Sequence, residues 1–385
     1  MSIISSLAEL GNYVAFSLLA GYVALQFVPE SKKPKIVLAQ KFLLLCTLFI
    51  IVFTFVPVIQ VILFFRGNVG FAEAATTVLF SFQVGHVWLF TTIFSIFLWL
   101  SIYLERSKYL QAFWIFLMVV AVGYGSHVSS QSFVVGLFSH TTHFLMVVIW
   151  VGVLLHVAWF SKDRENWPDF LMWFTPLAII CMVNIFATGF VILSTIENPK
   201  DYLNGWASPY GRMLLLKHLS IIPVIAFAVI NGILVKKVKS KASFEPRIWL
   251  KAESLILMFV FYFTGILGTI SPPYENHTTD FTPVAPTWME WILGKDLTGL
   301  IKIEFVPTLL SLFLMMVSVL FLALIIISFK FKSPVFAILF AGSFIFTLYL
   351  GLMFSCILYP LGGTVELSVV PFLCLLSYIL NENTN

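Results

Sequence analysis

Seven histidines carry most of the chemistry available to this chain. His140 and His143 stand three apart, a spacing that puts two imidazoles on one face of a helix. Met146 continues that face one step further, and Trp150 follows a turn later. His86 stands just past Gly85 near the head of an apolar run, His127 closes another, and His218 lies about two turns into a third, after Met213. Met353 and Cys356, again three apart, end an apolar run near the C-terminus. Imidazole, thioether and thiolate form a soft ligand set, which suits copper, Cu(I) above all, and suits magnesium or calcium poorly. The same residue types have plainer uses. One imidazole in an apolar helix can simply hydrogen-bond a neighbouring helix, and methionine fills gaps in apolar packing. The metal reading therefore depends on whether these residues share a depth, which is set by the elements that carry them.

The elements are membrane spans. Of 385 residues, 60% are hydrophobic, 17% aromatic and 10% charged, and the mean hydropathy is +1.00. Soluble domains carry roughly 25% charged residues, so too few polar side chains exist here to cover a water-facing surface. The fold class is all-α: a polytopic transmembrane bundle whose helices satisfy their own backbones, with the lipid bilayer as surrounding partner. Net charge is only +4 and the basic residues are scattered between apolar runs, which excludes nucleic acid as a partner. The four cysteines lie inside apolar runs and form no CxxC pair, so no disulfide framework is expected. Residues 1–28 lack a basic region and a small-residue cleavage site, and read as a retained first span.

A span needs roughly 20 apolar residues. The chain offers eleven, near 8–28, 42–65, 84–104, 110–128, 140–160, 171–194, 212–235, 250–271, 305–328, 334–357 and 364–380. The run from Gly70 to Leu104 is too long for one crossing and is expected to break at Gly85. Residues 1–300 read as one transmembrane unit of eight spans, and 301–385 as additional helices. Alternate connections hold sixteen Lys/Arg against six, which places the N-terminus outside the plasma membrane. His86, His127, His140, His143, His218 and His277 then fall on or near the outer side, and only His156 near the inner face, where it reads as interfacial. Cys46, Cys181 and Cys374 read as apolar fillers, Asn184 and Asn231 as interhelical hydrogen-bonders, and Lys217 as snorkelling outward or pairing with Asp201 or Glu304.

Several segments together resemble the CopD copper-resistance family. His143 to Trp150-Val-Gly152 resembles its "H…WVGG" helix. Thr188-Gly189, then Tyr210-Gly211-Arg212 through Lys217, resembles its "YGRxLLxK" segment, with Asn231 following and Glu253 opening a span that ends in Pro272-Pro273. The resemblance covers about residues 80–273 and implies a multi-pass protein that handles copper at the outer face, with uptake as its expected activity. It carries His143, and after it His127, as copper ligands, and Tyr210, Arg212, Lys217 and Glu253 as motif residues without an assigned role. The family's second glycine is Val153 here, no β-domain of the CopC type is recognised, and residues beyond about 300 do not align.

Three functions fit. The first is copper transport, with His86, His127, His140, His143 and His218 converging at one outer level and Met146, Met353 and Cys356 as soft donors. An external copper chaperone is an expected supplier. The inward path would run between the fifth and sixth spans past Met146, Cys181, Met182 and Asn184. No nucleotide-binding motif is present and no catalytic constellation, so the chain is not expected to be an enzyme. The second is a b-type haem protein with one outer haem between His86 and His143 or His218; a two-haem protein would need four histidines, and His156 has no partner at its depth. The third is an assembly factor that delivers copper without transporting it.

Overall fold

The computed structural model describes residues 3–163, 165–196, 201–240, 246–270 and 301–360. They form α1 (Ile3–Gln26), α2 (Gln40–Val69), α3 (Phe71–Ser81), α4 (Gln83–Tyr103), α5 (Lys108–Tyr124), α6 (His127–Gln131), α7 (Phe133–Phe160), α8 (Trp167–Ile196), α9 (Tyr202–Gly205), α10 (Pro209–Ser240) and α11 (Arg247–Leu267). A strand β1 (Ile301–Phe305), α12 (Leu309–Lys330), α13 (Pro334–Met353) and a strand β2 (Cys356–Pro360) follow. The all-α bundle expected from composition is what forms. Among the described residues nine helices are long and apolar enough to cross a membrane. α5 has 17 residues, about 26 Å at the helical rise, close to the ~30 Å hydrocarbon thickness. It is tied at both ends: Lys108 Nζ donates to the Gln26 carbonyl at 3.2 Å, and Gln83 Nε2 to the Tyr124 carbonyl at 2.5 Å. The expected span near 364–380, Cys374 and His277 lie outside the described residues.

The chain divides into two compact units, a large one of residues 2–196 with 228–265 and a small one of 197–227 with 266–385. In the large unit the alternate connections meet at one end. The Val37 amide donates to the Phe160 carbonyl at 3.0 Å and the Lys162 amide to the Lys35 carbonyl at 2.9 Å. Gln40 Nε2 donates to the Ile102 carbonyl at 2.8 Å, and an Arg247 guanidinium nitrogen to the Ser161 carbonyl at 2.9 Å. Lys32, Lys33, Lys35, Lys108, Lys162 and Arg247 thus gather at what is here termed the basic end. The opposite, histidine end collects the start of α1, the end of α2, α3, α6 and the start of α7; there Gln60 Nε2 donates to Ser5 Oγ at 2.5 Å.

The core of the large unit is the parallel pair α1 and α7. Their backbones touch at two glycines: a Cβ on Gly152 would lie 2.0 Å from the Ser17 carbonyl oxygen, and one on Gly21 would lie 2.2 Å from the Gly152 carbonyl carbon. Small residues that admit such approach drive helix association in lipid, where no hydrophobic effect does. Val153, in place of a second glycine, is buried at 1% exposure, so its side chain packs where the resemblance has none.

Three expectations need correction. The break before α4 falls at Phe82, which is extended, and not at Gly85. Gly85 sits inside α4, where a Cβ would lie 2.0 Å from the Val78 carbonyl oxygen of α3, so its role is close packing. The ninth span starts at Leu309, behind a capping box between Thr308 and Ser311, and residues 301–305 form β1 instead. The tenth ends at Met353, and β2 pairs antiparallel with β1 from Ile301↔Pro360 to Phe305↔Cys356.

Candidate metal site

α7 presents His143 to α8. His143 Nδ1 lies 3.1 Å from Thr188 Oγ1, and the Thr188 hydroxyl donates to the Asn184 carbonyl one turn back, at 2.6 Å. A hydroxyl has one proton. With it engaged by Asn184, the Thr188 oxygen accepts from His143, so the imidazole proton sits on Nδ1 and the lone pair on Nε2. This is how ligating histidines are usually oriented, through the ring nitrogen that does not bind the metal. Gly189 packs beside the ring; a Cβ there would lie 3.4 Å from His143 Cε1, in ordinary van der Waals contact.

α7 and α8 run antiparallel from this contact, so deeper residues of α7 face earlier residues of α8. Half-buried Met146 comes level with Asn184–Ile185, and buried Trp150 with buried Cys181. Trp150 Nε1 has no hydrogen-bond partner among the described residues. Asn184 does not bond across helices; its amide donates to the Ile180 carbonyl of its own helix at 2.8 Å.

The remaining histidines sit in separate local settings. His86 Nε2 donates to the Phe80 carbonyl at 2.8 Å, which ties it to the α3–α4 corner. His127 opens α6 after the capping Ser126. His140 is half-buried one step before His143 on α7. His218, in the small unit, lies with Nδ1 2.8 Å from the Tyr202 hydroxyl. Among the described residues no three His, Cys, Asp or Glu side chains form a group able to hold a metal ion. The structure therefore places His86, His127, His140 and His143 at the histidine end of the large unit without gathering them into one ligand shell. Met353 is buried in the small unit, and the Cys356 thiol donates to the Leu352 carbonyl at 3.3 Å. Burial pushes that thiol up to about 12, so it stands protonated at neutral pH; a metal would have to displace its proton.

His156 is buried within the large unit, one turn before the end of α7. It is 1% exposed, its Nδ1–H donates to the Gly152 carbonyl at 2.8 Å, and its Nε2 has no hydrogen-bond partner among the described residues. Lys33 pairs with Glu30 at 2.7 Å. Asn231 does bond across helices, donating its amide to the Glu253 carboxyl of α11, and both side chains are buried. Next to it Trp159 Nε1 donates to Ser254 Oγ at 3.0 Å, and Lys251 Nζ lies 4.7 Å over the Trp159 ring. Sequence reading passed over Glu9 and Asn12 of α1. The available signal was an acid and an amide three residues apart inside a span, where polar groups default to function.

No curated protein and no solved structure matches the chain. Residues 168–267, which run from α8 through α11 and include Thr188, Lys217, Asn231 and Glu253, match the family described as CopD, Copper resistance protein D.

Proposed function

We propose that the protein takes up copper across the plasma membrane, receiving the ion through a His/Met site at the histidine end of the large unit. The observation that carries this reading is the His143–Thr188 bond, whose acceptor is itself a residue of the matched segment. It supports an Nε2 lone pair on a helix that next offers Met146, with Cys181 of α8 at the level below. His127 is the proposed further ligand of this site, with His86 at its approach. His218, Met353 and Cys356 are proposed as donors of the small unit. The positive-inside rule assigns the basic end to the cytoplasm, so an ion entering at the histidine end moves inward. An external copper chaperone is the proposed supplier. In the absence of a recognised nucleotide motif, the ion's own gradient or another ion supplies the drive. Copper is favoured over haem because the matched family is described as a copper resistance protein.

The test is elemental analysis of the purified full-length protein together with copper accumulation in cells that express it. Bound copper and a gain in accumulation, both lost in His143→Ala, are expected. An intense haem absorption band without copper would overturn the reading. Copper bound at wild-type level without any gain in accumulation would leave a delivery factor, not a transporter.

A further inference from the structure

The first turns of α1 hold two polar side chains, Glu9 and Asn12, that the site above leaves unused. Their placement follows from contacts one turn deeper. There the Phe144 ring of α7 lies between two rings of α1, with centroids 5.7 Å from Tyr13 and 5.2 Å from Phe16. Tyr13 also lies 5.4 Å from Phe261 of α11. α1 and α7 keep one register along this contact, since Gly21 meets Gly152 as Tyr13 meets Phe144. One turn toward the histidine end, each of these residues has a neighbour on the same helix face. Glu9 stands over Tyr13, Asn12 over Phe16, His140 over Phe144 and Gly265 over Phe261. The last of these is verified directly: a Cβ on Gly265 would lie 3.1 Å from Glu9 Cβ. Glycine therefore lets α11 approach α1 closely beside Glu9.

Asn12 is 6% exposed. Its amide hydrogen-bonds the Glu9 carboxyl, yet its Oδ1 has no hydrogen-bond partner among the described residues. A buried amide oxygen without a donor is costly and calls for an explanation. A carboxylate in an apolar bundle is likewise stabilised by a counter-charge. A cation at this level answers both.

We propose that Glu9, Asn12 and His140 form a cation site of their own, closed below by the Tyr13, Phe144 and Phe261 rings. Two of its three donors are oxygens and the third is an imidazole, so it takes a borderline divalent ion, Cu(II) in this protein, where His143 and Met146 take the softer Cu(I). The site deepens the copper reading and rests on it for the identity of the ion.

The experiment is calorimetric titration of the detergent-purified full chain with Cu(II) and, separately, with Ag(I) as a redox-inert stand-in for Cu(I). Glu9→Gln keeps the size and the hydrogen bond to Asn12 but removes the charge. It should weaken Cu(II) binding at least tenfold and leave Ag(I) binding unchanged, with Glu9→Asp recovering part of the loss. His143→Ala should do the reverse. Unchanged Cu(II) affinity in Glu9→Gln would overturn the proposal, as would an equal loss of both ions. Cu(II) loss in Glu9→Gln with no effect of His143→Ala on either ion would instead overturn the His143 site and keep this one. A wild-type chain that binds neither ion would remove both. If Glu9→Gln does not elute as a folded species, Asn12→Ala, which deletes the unbonded oxygen, is held to the same Cu(II)-selective result.

Discussion

The Thr188 proton is engaged by the Asn184 carbonyl, and the tautomer of His143 follows from that. The arrangement has a mutational signature. Thr188→Val preserves shape and removes the oxygen, so the imidazole loses both its orientation and its reason to carry the proton on Nδ1. Losing such an outer partner typically costs 10- to 100-fold in metal affinity. Copper affinity of Thr188→Val is expected to fall by about that factor, and Thr188→Ser to stay near wild type; calorimetry checks both. The residue types were legible in the sequence, since His140, His143 and Met146 share a helix face by spacing alone. The tautomer was not, because it depends on a hydroxyl 45 positions away and on what that hydroxyl donates to. Glu9 and Asn12 were hidden for a different reason. Nothing in their local sequence shows that Phe144 and Phe261 will meet Tyr13 one turn below.

At the scale of elements, hydropathy located the spans and their order because lipid leaves a spanning segment no alternative to the helix. The ends were harder, since they are set by partners distant in sequence. β1 pairs with residues some fifty positions away, a relation that no local pattern encodes. The family match from residue 168 begins after α7, so the α1–α7 contact has to be argued from packing. That contact yields a test. Gly152→Ala would place a methyl 2.0 Å from the Ser17 carbonyl oxygen. Backbone cannot yield as a flexible side chain would, and overpacking of this kind costs about 1–3 kcal/mol. Gly342→Ala, where nothing lies within 4 Å, serves as the matched control. Denaturation of the purified protein should show a clear loss for the first and none for the second. Separation of α1 from α7 would also move Glu9 and Asn12 away from His140, so Gly152→Ala should bind Cu(II) more weakly even where it still folds.

For the whole molecule, the decisive quantity is the orientation of the two ends. The sixteen-to-six distribution of Lys and Arg predicts the basic end inside. The hydrogen bonds that join residues 35–40, 102, 160–162 and 247 put these connections on one common side. In a cysteine-free background, a single cysteine at Ser130 should react with a membrane-impermeant thiol reagent added to intact cells, and one at Lys162 should react only after lysis. The opposite pattern would place the histidines in the cytoplasm and turn uptake into export. The strand pair of the small unit has a consequence of another kind. β1 leads into α12 and β2 leads out of α13, and the two strands lie side by side. The chain thus leaves and returns at one point after two crossings. An excursion with adjacent ends and an even number of crossings can be inserted or deleted in evolution without reversing the sidedness of anything that follows it.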